Sequence, residues 1–229
     1  MNESENQILH VSDFKGLINT DFNGNTNAIG WLRKLEGDFA EIVGKVELNE
    51  NIAQLDEDKL NDLELSRRGQ MARAVLLDDL KRLRSHGTDP ILNVIRSYDE
   101  DDSFPFFPTD VYSFHVDRAT APAATILCTY HGAASDILPN DEATQKVLVP
   151  QIRERLRELY DGPEKDFGAF LSEYFFDLHY QAHDDAQPIN LGVGNMWRLA
   201  IDHPGCPVAP CIHRAPREKT GRKRLLLIC

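Results

Sequence analysis

The sequence predicts a mainly β protein with added helices, and three observations carry that prediction. Apolar residues at helical spacing are concentrated in residues 25–88. Short apolar runs separated by Gly, Pro, Asn and Asp fill most of residues 89–229, as strands and turns do. A second helical pattern interrupts those runs at about residues 141–180. At 229 residues, one domain is expected to contain all three parts.

The N-terminal third is predicted to be helical after a polar start. Residues 1–24 are rich in Asn, Asp and Gly, which indicates a loosely held arm with one short strand at Ile8–Val11. Residues 26–46 carry apolar side chains three and four positions apart, which predicts an amphipathic helix. Residues 56–84 continue the pattern as two helices divided at Gly69, and Gly87 is expected to end the second. We expect residues 25–88 to pack on the β core.

The β core is predicted from six apolar runs in residues 89–229. The predicted strands are 90–98, 111–117, 123–130, 195–201, 208–213 and 222–229. Helices near 150–160 and 165–174 form the insertion at about 141–180, and Pro150 suits the first position of a helix.

A candidate metal site lies at the end of the second predicted strand. Side chains two apart on a strand point the same way, so His115 and Asp117 can reach one ion together. His213, on a later strand, can complete the set. Two His and one carboxylate on one face of an octahedral ion leave three positions open, as in non-haem Fe(II) oxygenases.

Two other constellations compete for a metal. A second H-x-D sequence, His183-Asp184-Asp185, lies in a polar stretch, and His179 with His183 could bind metal together with Asp177 or Asp184. Two thiols and two imidazoles also lie close together in the chain and could form a tetrahedral Zn²⁺ site: His203, Cys206, Cys211 and His213.

Basic residues open the last predicted strand. Arg222 and Arg224 share one face and Lys223 takes the other. A guanidinium pairs with a carboxylate through two hydrogen bonds, which favours Arg over Lys as an anion site. Arg224, which adjoins the apolar run, is the first candidate and Arg222 the second.

These features together resemble the Fe(II)/2-oxoglutarate-dependent dioxygenase superfamily. The shared pattern is H-x-D, a distal His, and a basic residue about ten positions later, while His213-x-x-Pro216 and Gly221 are similar to its prolyl-hydroxylase branch. The resemblance implies a double-stranded β-helix (jelly-roll) core over residues 89–229, with Fe(II) on His115, Asp117 and His213. It also implies that 2-oxoglutarate places its far carboxylate on Arg224 or Arg222 and contacts Tyr112, Thr129 or Tyr130. The two His are 98 positions apart, which is long for this family and requires the insertion.

Composition narrows the partners. The formal net charge is −12 and the isoelectric point is near 5.1, which argues against nucleic acid and leaves a small molecule or a peptide as the substrate. No apolar run approaches the roughly 18 residues of a membrane span. The acidic start lacks the features of a signal peptide, so we expect a cytoplasmic protein. The alternatives are a non-catalytic cupin-like or Zn-binding module, and a Zn- or Mn-dependent isomerase or hydrolase.

Overall fold

The computed structural model describes residues 7–229, and two sheets form its centre. The larger sheet runs in the order β1 (Ile8–Val11), β2 (Ala28–Trp31), β10 (Met196–Ala200), β5 (Ala124–His131), β12 (Arg224–Ile228), β4 (Ile91–Ile95) and β3 (Ile52–Leu55). The smaller sheet runs β11 (Ile212–Arg214), β6 (Asp136–Leu138) and β9 (Ile189–Asn190). A separate pair joins β7 (Ala143–Gln145) to β8 (Tyr180–Ala182). Strand pairs in these sheets are antiparallel, except that β1 and β2 are parallel.

Helices cover the outer side of the larger sheet and fill the insertion. Their bounds are α1 Phe14–Asn19, α2 Phe39–Lys45, α3 Glu57–Asp62, α4 Arg67–Ser85, α5 Pro150–Glu158 and α6 Phe167–Glu173. Each of the first four begins after a side chain that accepts a hydrogen bond from a free backbone N–H of its first turn, at Asp13, Asp38, Asp56 and Ser66. As predicted, α4 stops before Gly87. Gly87 has a φ of 90°, a backbone conformation that glycine adopts without strain.

Two hydrophobic layers hold these parts together. Between the sheets lies a core to which Leu127 and Leu226 of the larger sheet and Ile137 of the smaller one contribute. A second core lies between the opposite face of the larger sheet and the N-terminal helices, and includes Ile126 and Leu80. Alternation along β5 explains why Ile126 and Leu127 belong to different cores. The fold is therefore mixed α and β, and no closed barrel is found within residues 7–229.

The chain passes repeatedly between the two sheets. It runs from β4 to a segment around His115 beside β11, returns to β5, and crosses to β6 and β9. It then goes back through β10, crosses again to β11 and finishes in β12. The segments that carry His115 and His213 are thus neighbours, although 98 residues separate them in the chain.

Most predicted strands are confirmed, but the N-terminal third differs from the prediction. A single helix over 26–46 is wrong, because β2 occupies Ala28–Trp31 and only α2 is helical. Residues near Gly69 are continuous helix, and the break comes at residues 63–66 instead. The part of the predicted arm that lies in residues 7–24 includes β1 and α1, and it buries Leu17 fully. Residues 1–6 of that arm lie outside the described residues.

The predicted strand 111–117 is reduced to a single residue. Only His115 forms β-bridges, one to His213 and one to His179, while residues 111–113 form a turn and bend. Asp110 causes that turn, because one of its carboxylate oxygens accepts the backbone N–H groups of Tyr112 and Ser113. The alternation of the buried side chains is nevertheless as predicted, since Phe114 and Val116 are both buried.

Gly30 packs directly against the ring of Trp197 in the larger sheet. A Cβ atom at this position would lie 2.7 Å from two ring atoms of Trp197 on the neighbouring strand. We expect Gly30→Ala to lower the free energy of unfolding by about 1–3 kcal/mol, because the buried indole has to move. Urea unfolding measures the change. Gly44→Ala is the control, since nothing lies within 4 Å of its Cβ and alanine favours α2; equal stability of the two variants would contradict the prediction.

Within the described part of the chain, no helix is long and apolar enough to cross a membrane. The cytoplasmic location stays a prediction from the sequence.

Candidate metal centre

Three side chains converge between the sheets, and they are the predicted ones. His115, Asp117 and His213 each offer a ligand atom, and these atoms lie within 4.8 Å of one another. Asp117 lies at the centre, with its oxygens 3.9 Å from Nε2 of His115 and 3.6 Å from Nε2 of His213. We call these three residues the triad. It is the only group of three or more His, Cys, Asp or Glu in residues 7–229 that meets this criterion.

Backbone pairing explains how two distant imidazoles come together. The N–H of His115 donates to the carbonyl of His213 at 2.9 Å, and the N–H of His213 donates to the carbonyl of His115 at 2.9 Å. Residues that exchange both bonds lie directly opposite each other, with their side chains on one face. The two rings consequently lie with their centroids 4.6 Å apart. Asp117 is two residues further on and points to the same face.

Each residue of the triad makes a further hydrogen bond, and these bonds orient the ligand atoms toward one another. Nδ1 of His115 donates to the carbonyl of Ser113 at 2.8 Å, and Nδ1 of His213 donates to the carbonyl of Cys211 at 3.2 Å. Because a carbonyl only accepts, Nδ1 carries a proton in both rings, and Nε2 is the nitrogen that faces the other triad residues. The hydroxyl of Thr125 donates to Oδ2 of Asp117 and so restrains the carboxylate. Such contacts are typical of metal ligands.

Burial keeps the first histidine ready to bind a cation. Desolvation, followed by the charge of His213, lowers the pKa of His115 to about 4. The nearby His179, whose ring centroid lies 5.7 Å from that of His115, is also buried, and desolvation lowers its pKa to about 3. Both rings are therefore neutral at pH 7, the form in which imidazole binds a metal.

The pKa values of these two histidines predict an acid-sensitive fold. Between pH 6.5 and about 4 the unfolded chain binds protons at His115 and His179 that the folded chain does not bind, so stability falls as the pH is lowered through this range. Each ring contributes about 1.4 kcal/mol per pH unit. Urea unfolding of the metal-free protein at several pH values measures the slope. His179→Phe should make it shallower, whereas exposed His183→Gln should not; an unchanged slope in His179→Phe refutes the prediction.

A small cavity connects the triad to a buried arginine. This inner cavity has a volume of about 110 Å³ and is lined by the triad together with Tyr98, Thr125, Ser135 and Arg224, among others. Arg224 is 1% exposed. Its Nη2 donates to the hydroxyls of Thr129 at 3.0 Å and Ser135 at 2.8 Å, while Nε and Nη1 are buried without a partner.

The charge of Arg224 has no counter-ion in contact, although Glu218 lies near enough to stabilise it partly. Among the described residues, no carboxylate lies within 4.0 Å of it, the distance at which an ion pair forms. Burial lowers its pKa, and an arginine still keeps its proton at pH 7. A buried unpaired charge costs several kcal/mol, so the arrangement favours an anion that enters the cavity and accepts from Nε and Nη1.

The other residues predicted near the co-substrate lie in different places. Thr129 contacts Arg224 and stays at the edge of the site. Tyr130 points away from it, because alternation along β5 turns it toward α4, where its hydroxyl donates to Asp79 at 2.7 Å. The hydroxyl of Tyr112 accepts a hydrogen bond from the backbone N–H of Tyr98 at 2.8 Å. Tyr98 lines the cavity, and Tyr112 lies behind it. Arg222 is exposed in the turn before β12.

The competing metal constellations do not come together in the described structure. Cys211 is fully buried, and neither it nor Cys206 belongs to a converging group with His203. His179 and His183 flank β8 and do not share a helix face. His183 is exposed, with Nε2 3.0 Å from the hydroxyl of Thr144.

Comparison with models of known families, with curated proteins and with solved structures found no match. The function therefore has to be argued from this site. Tyr98 and Ser135, which line the inner cavity, were not predicted as site residues, and a single polar residue outside a motif carries no signal by which to find it.

Proposed function

We propose that this protein is an Fe(II)- and 2-oxoglutarate-dependent oxygenase that hydroxylates a small molecule or a peptide. The observation that carries the proposal is the placement of Arg224. Arg224, which has two unpartnered guanidinium nitrogens, and the triad line one cavity of about 110 Å³, so a short molecule with a chelating end and an anionic end would satisfy both. A 2-oxo dicarboxylate has that form.

The residues present fit such a metal site. His115, His213 and Asp117 would hold the ion with two imidazoles and one carboxylate, and the cavity beside them would leave room for exchangeable ligands. Iron, with 2-oxoglutarate and O₂, supplies the oxidising power that hydroxylates a C–H bond while the co-substrate is converted into succinate and CO₂. Neutral imidazoles with one carboxylate leave a divalent ion with a net positive charge, which favours an anionic chelator.

Side chains of the protein bind and orient the co-substrate. Nε and Nη1 of Arg224 donate to the far carboxylate, and Nη2 stays on Thr129 and Ser135, so the guanidinium is already fixed before the co-substrate arrives. Leu127 and Leu226 wall the cavity and keep water from the stem of the co-substrate. Thr125 holds Asp117 in place through its hydroxyl.

The arrangement of the sheets supports the jelly-roll core that belongs to this proposal. Two mainly antiparallel sheets face each other, and the chain alternates between them from β4 to β12. That winding is typical of double-sheet jelly rolls. The N-terminal helices and the insertion between the ligands lie outside this pair of sheets.

The test is anaerobic titration of the metal-free full chain with Fe(II), followed by addition of 2-oxoglutarate and O₂. We expect one iron per chain and slow formation of succinate even without a primary substrate. Iron binding without any succinate would favour a metal-dependent isomerase or hydrolase instead. Stoichiometric zinc that survives His115→Ala and Asp117→Ala but not Cys206→Ser would favour the Zn-binding module.

A further inference from the structure

A second and larger cavity shares two residues with the triad. This outer cavity has a volume of about 320 Å³ and is lined by His115 and Asp117, and also by Asp110, Arg118, Phe175 and His179. Its size suits one side chain or a small molecule. The inner cavity, with about 110 Å³, has room for the co-substrate only. If the function proposed above holds, the outer cavity is where the primary substrate meets the metal.

Part of the wall of the outer cavity is apolar. Val116 and Leu178 are buried beneath it, and Phe175 is 59% exposed at its edge. Phe175 is also the one non-glycine residue in the described chain with a positive φ, 59°. A bulky residue rarely adopts this conformation, and the surrounding fold has to impose it. The ring is thus presented to solvent beside the cavity at a cost in backbone energy.

One buried polar group at the cavity lacks a partner. His179 lines the cavity and is 4% exposed, and its Nδ1 makes no hydrogen bond within the described structure. A buried nitrogen without a partner costs free energy. A polar group on a bound molecule would supply the missing hydrogen bond.

Charges around the outer cavity are predominantly negative. Arg118 is held by two carboxylates, at 2.7 Å from Asp202 and 2.8 Å from Asp177. Asp110 lines the cavity. Asp101 accepts a hydrogen bond from the hydroxyl of Thr109, which also lines the cavity. With Asp117 these make five carboxylates, whereas the nearby cations are Arg118 and Lys146, whose ammonium donates to Ser113 at 2.7 Å. Within this group the five carboxylates outnumber the two cations.

We infer that the outer cavity selects a substrate in which a cationic amine ends an apolar stem, such as a lysine-like side chain of a peptide. The apolar wall and the ring of Phe175 contact the stem, and the ring face also attracts a cation. The excess of carboxylates stabilises the ammonium, and an anionic analogue is repelled by the same groups. This inference rests on the proposed function only for the placement beside a metal.

The test uses three probes with similar stems and different charge: the amides of Nα-acetyl-lysine, Nα-acetyl-norleucine and Nα-acetyl-glutamate. Saturation-transfer NMR with the metal-free full chain measures their affinities. We expect the lysine probe to bind about tenfold more tightly than the norleucine probe, and the glutamate probe more weakly than both. Asp110→Asn should bring the lysine and norleucine affinities close together. Asp62→Asn, an exposed acid on α3, should leave the tenfold preference unchanged.

A second variant works in the opposite direction and keeps the test valid if Asp110→Asn unfolds. Arg118→Gln removes an exposed cation from the cavity and should increase the preference for lysine about threefold. Equal binding of lysine and norleucine probes in the wild type, or a preference that neither variant changes, would overturn the inference.

Added Mn(II) separates this inference from the proposed function. Mn(II) bound at the triad should broaden the signals of the lysine probe, because the cavity shares His115 and Asp117 with the triad. If Mn(II) does not bind at all, the metal proposal fails while the charge preference stands. If Mn(II) binds and the lysine signals stay sharp, the probe occupies another surface and the inference is wrong.

Discussion

Arg224→Met should greatly weaken the binding of 2-oxoglutarate without destabilising the fold. Arg224 supplies a buried guanidinium with two unpartnered nitrogens, and removal of a buried charged partner costs a ligand about 2–5 kcal/mol, or roughly 30-fold to several thousand-fold in affinity. The empty protein should be as stable as the wild type or more so, because the charge has no counter-ion in contact and methionine fills the space with apolar atoms. Calorimetric titration with Mn(II) present measures the affinity, and urea unfolding measures the stability.

Arg222→Met is the matched control. It makes the same substitution two residues earlier, in an exposed turn, and should change the affinity for 2-oxoglutarate by less than about twofold. A large loss of stability in Arg224→Met with unchanged affinity would show that this arginine is structural. That result would remove the main support for the co-substrate proposed here.

His115→Ala and Asp117→Ala should each lower the affinity for Fe(II) by more than about 100-fold. Each variant removes one of three converging ligand atoms, whereas loss of a group behind a ligand already costs about 10–100-fold. Neither change removes a large apolar group, so the unfolding transition of the metal-free protein should persist and show that the loss is local. Anaerobic titration of each variant with Fe(II) gives the affinity.

The chain contains its own control for these variants. His183 and Asp185 repeat the H-x-D spacing of His115 and Asp117 on an exposed segment after β8, so His183→Ala and Asp185→Ala should bind Fe(II) as the wild type does. Stoichiometric binding that survives in both His115→Ala and Asp117→Ala is incompatible with the triad as the iron site.

Local patterns were sufficient for the parts of the site that depend on neighbours in the chain. Alternation along an extended segment places His115 and Asp117 on one face, and Phe114 and Val116 are buried as that alternation requires. The final apolar run was predicted as a strand, and β12 does begin at its basic end. Apolar spacing also located α4, α5 and α6.

Local patterns failed where a helix and a strand have similar apolar spacing. They also failed where the orientation of a side chain depends on the residue at which a strand begins. The four residues of β2 carry too few apolar positions to separate a strand from the helix predicted there. Alternation along the predicted strand placed Arg222 and Arg224 on the same face. Because β12 starts at Arg224, the alternation of side chains does not extend to Arg222. Thr129 and Tyr130 were both candidates although a strand can point only one of them at the cavity.

By itself the sequence determined which residues can act as a set, because side-chain chemistry and the two-residue repeat of a strand are local properties. Only the tertiary structure decided that they meet. The paired backbone bonds between His115 and His213 join segments 98 residues apart, and the crossing of the chain between two sheets places Arg224 in the wall of the same cavity. Such contacts depend on register and sheet order, which arise from the packing of the whole core and leave no mark in a short stretch of sequence.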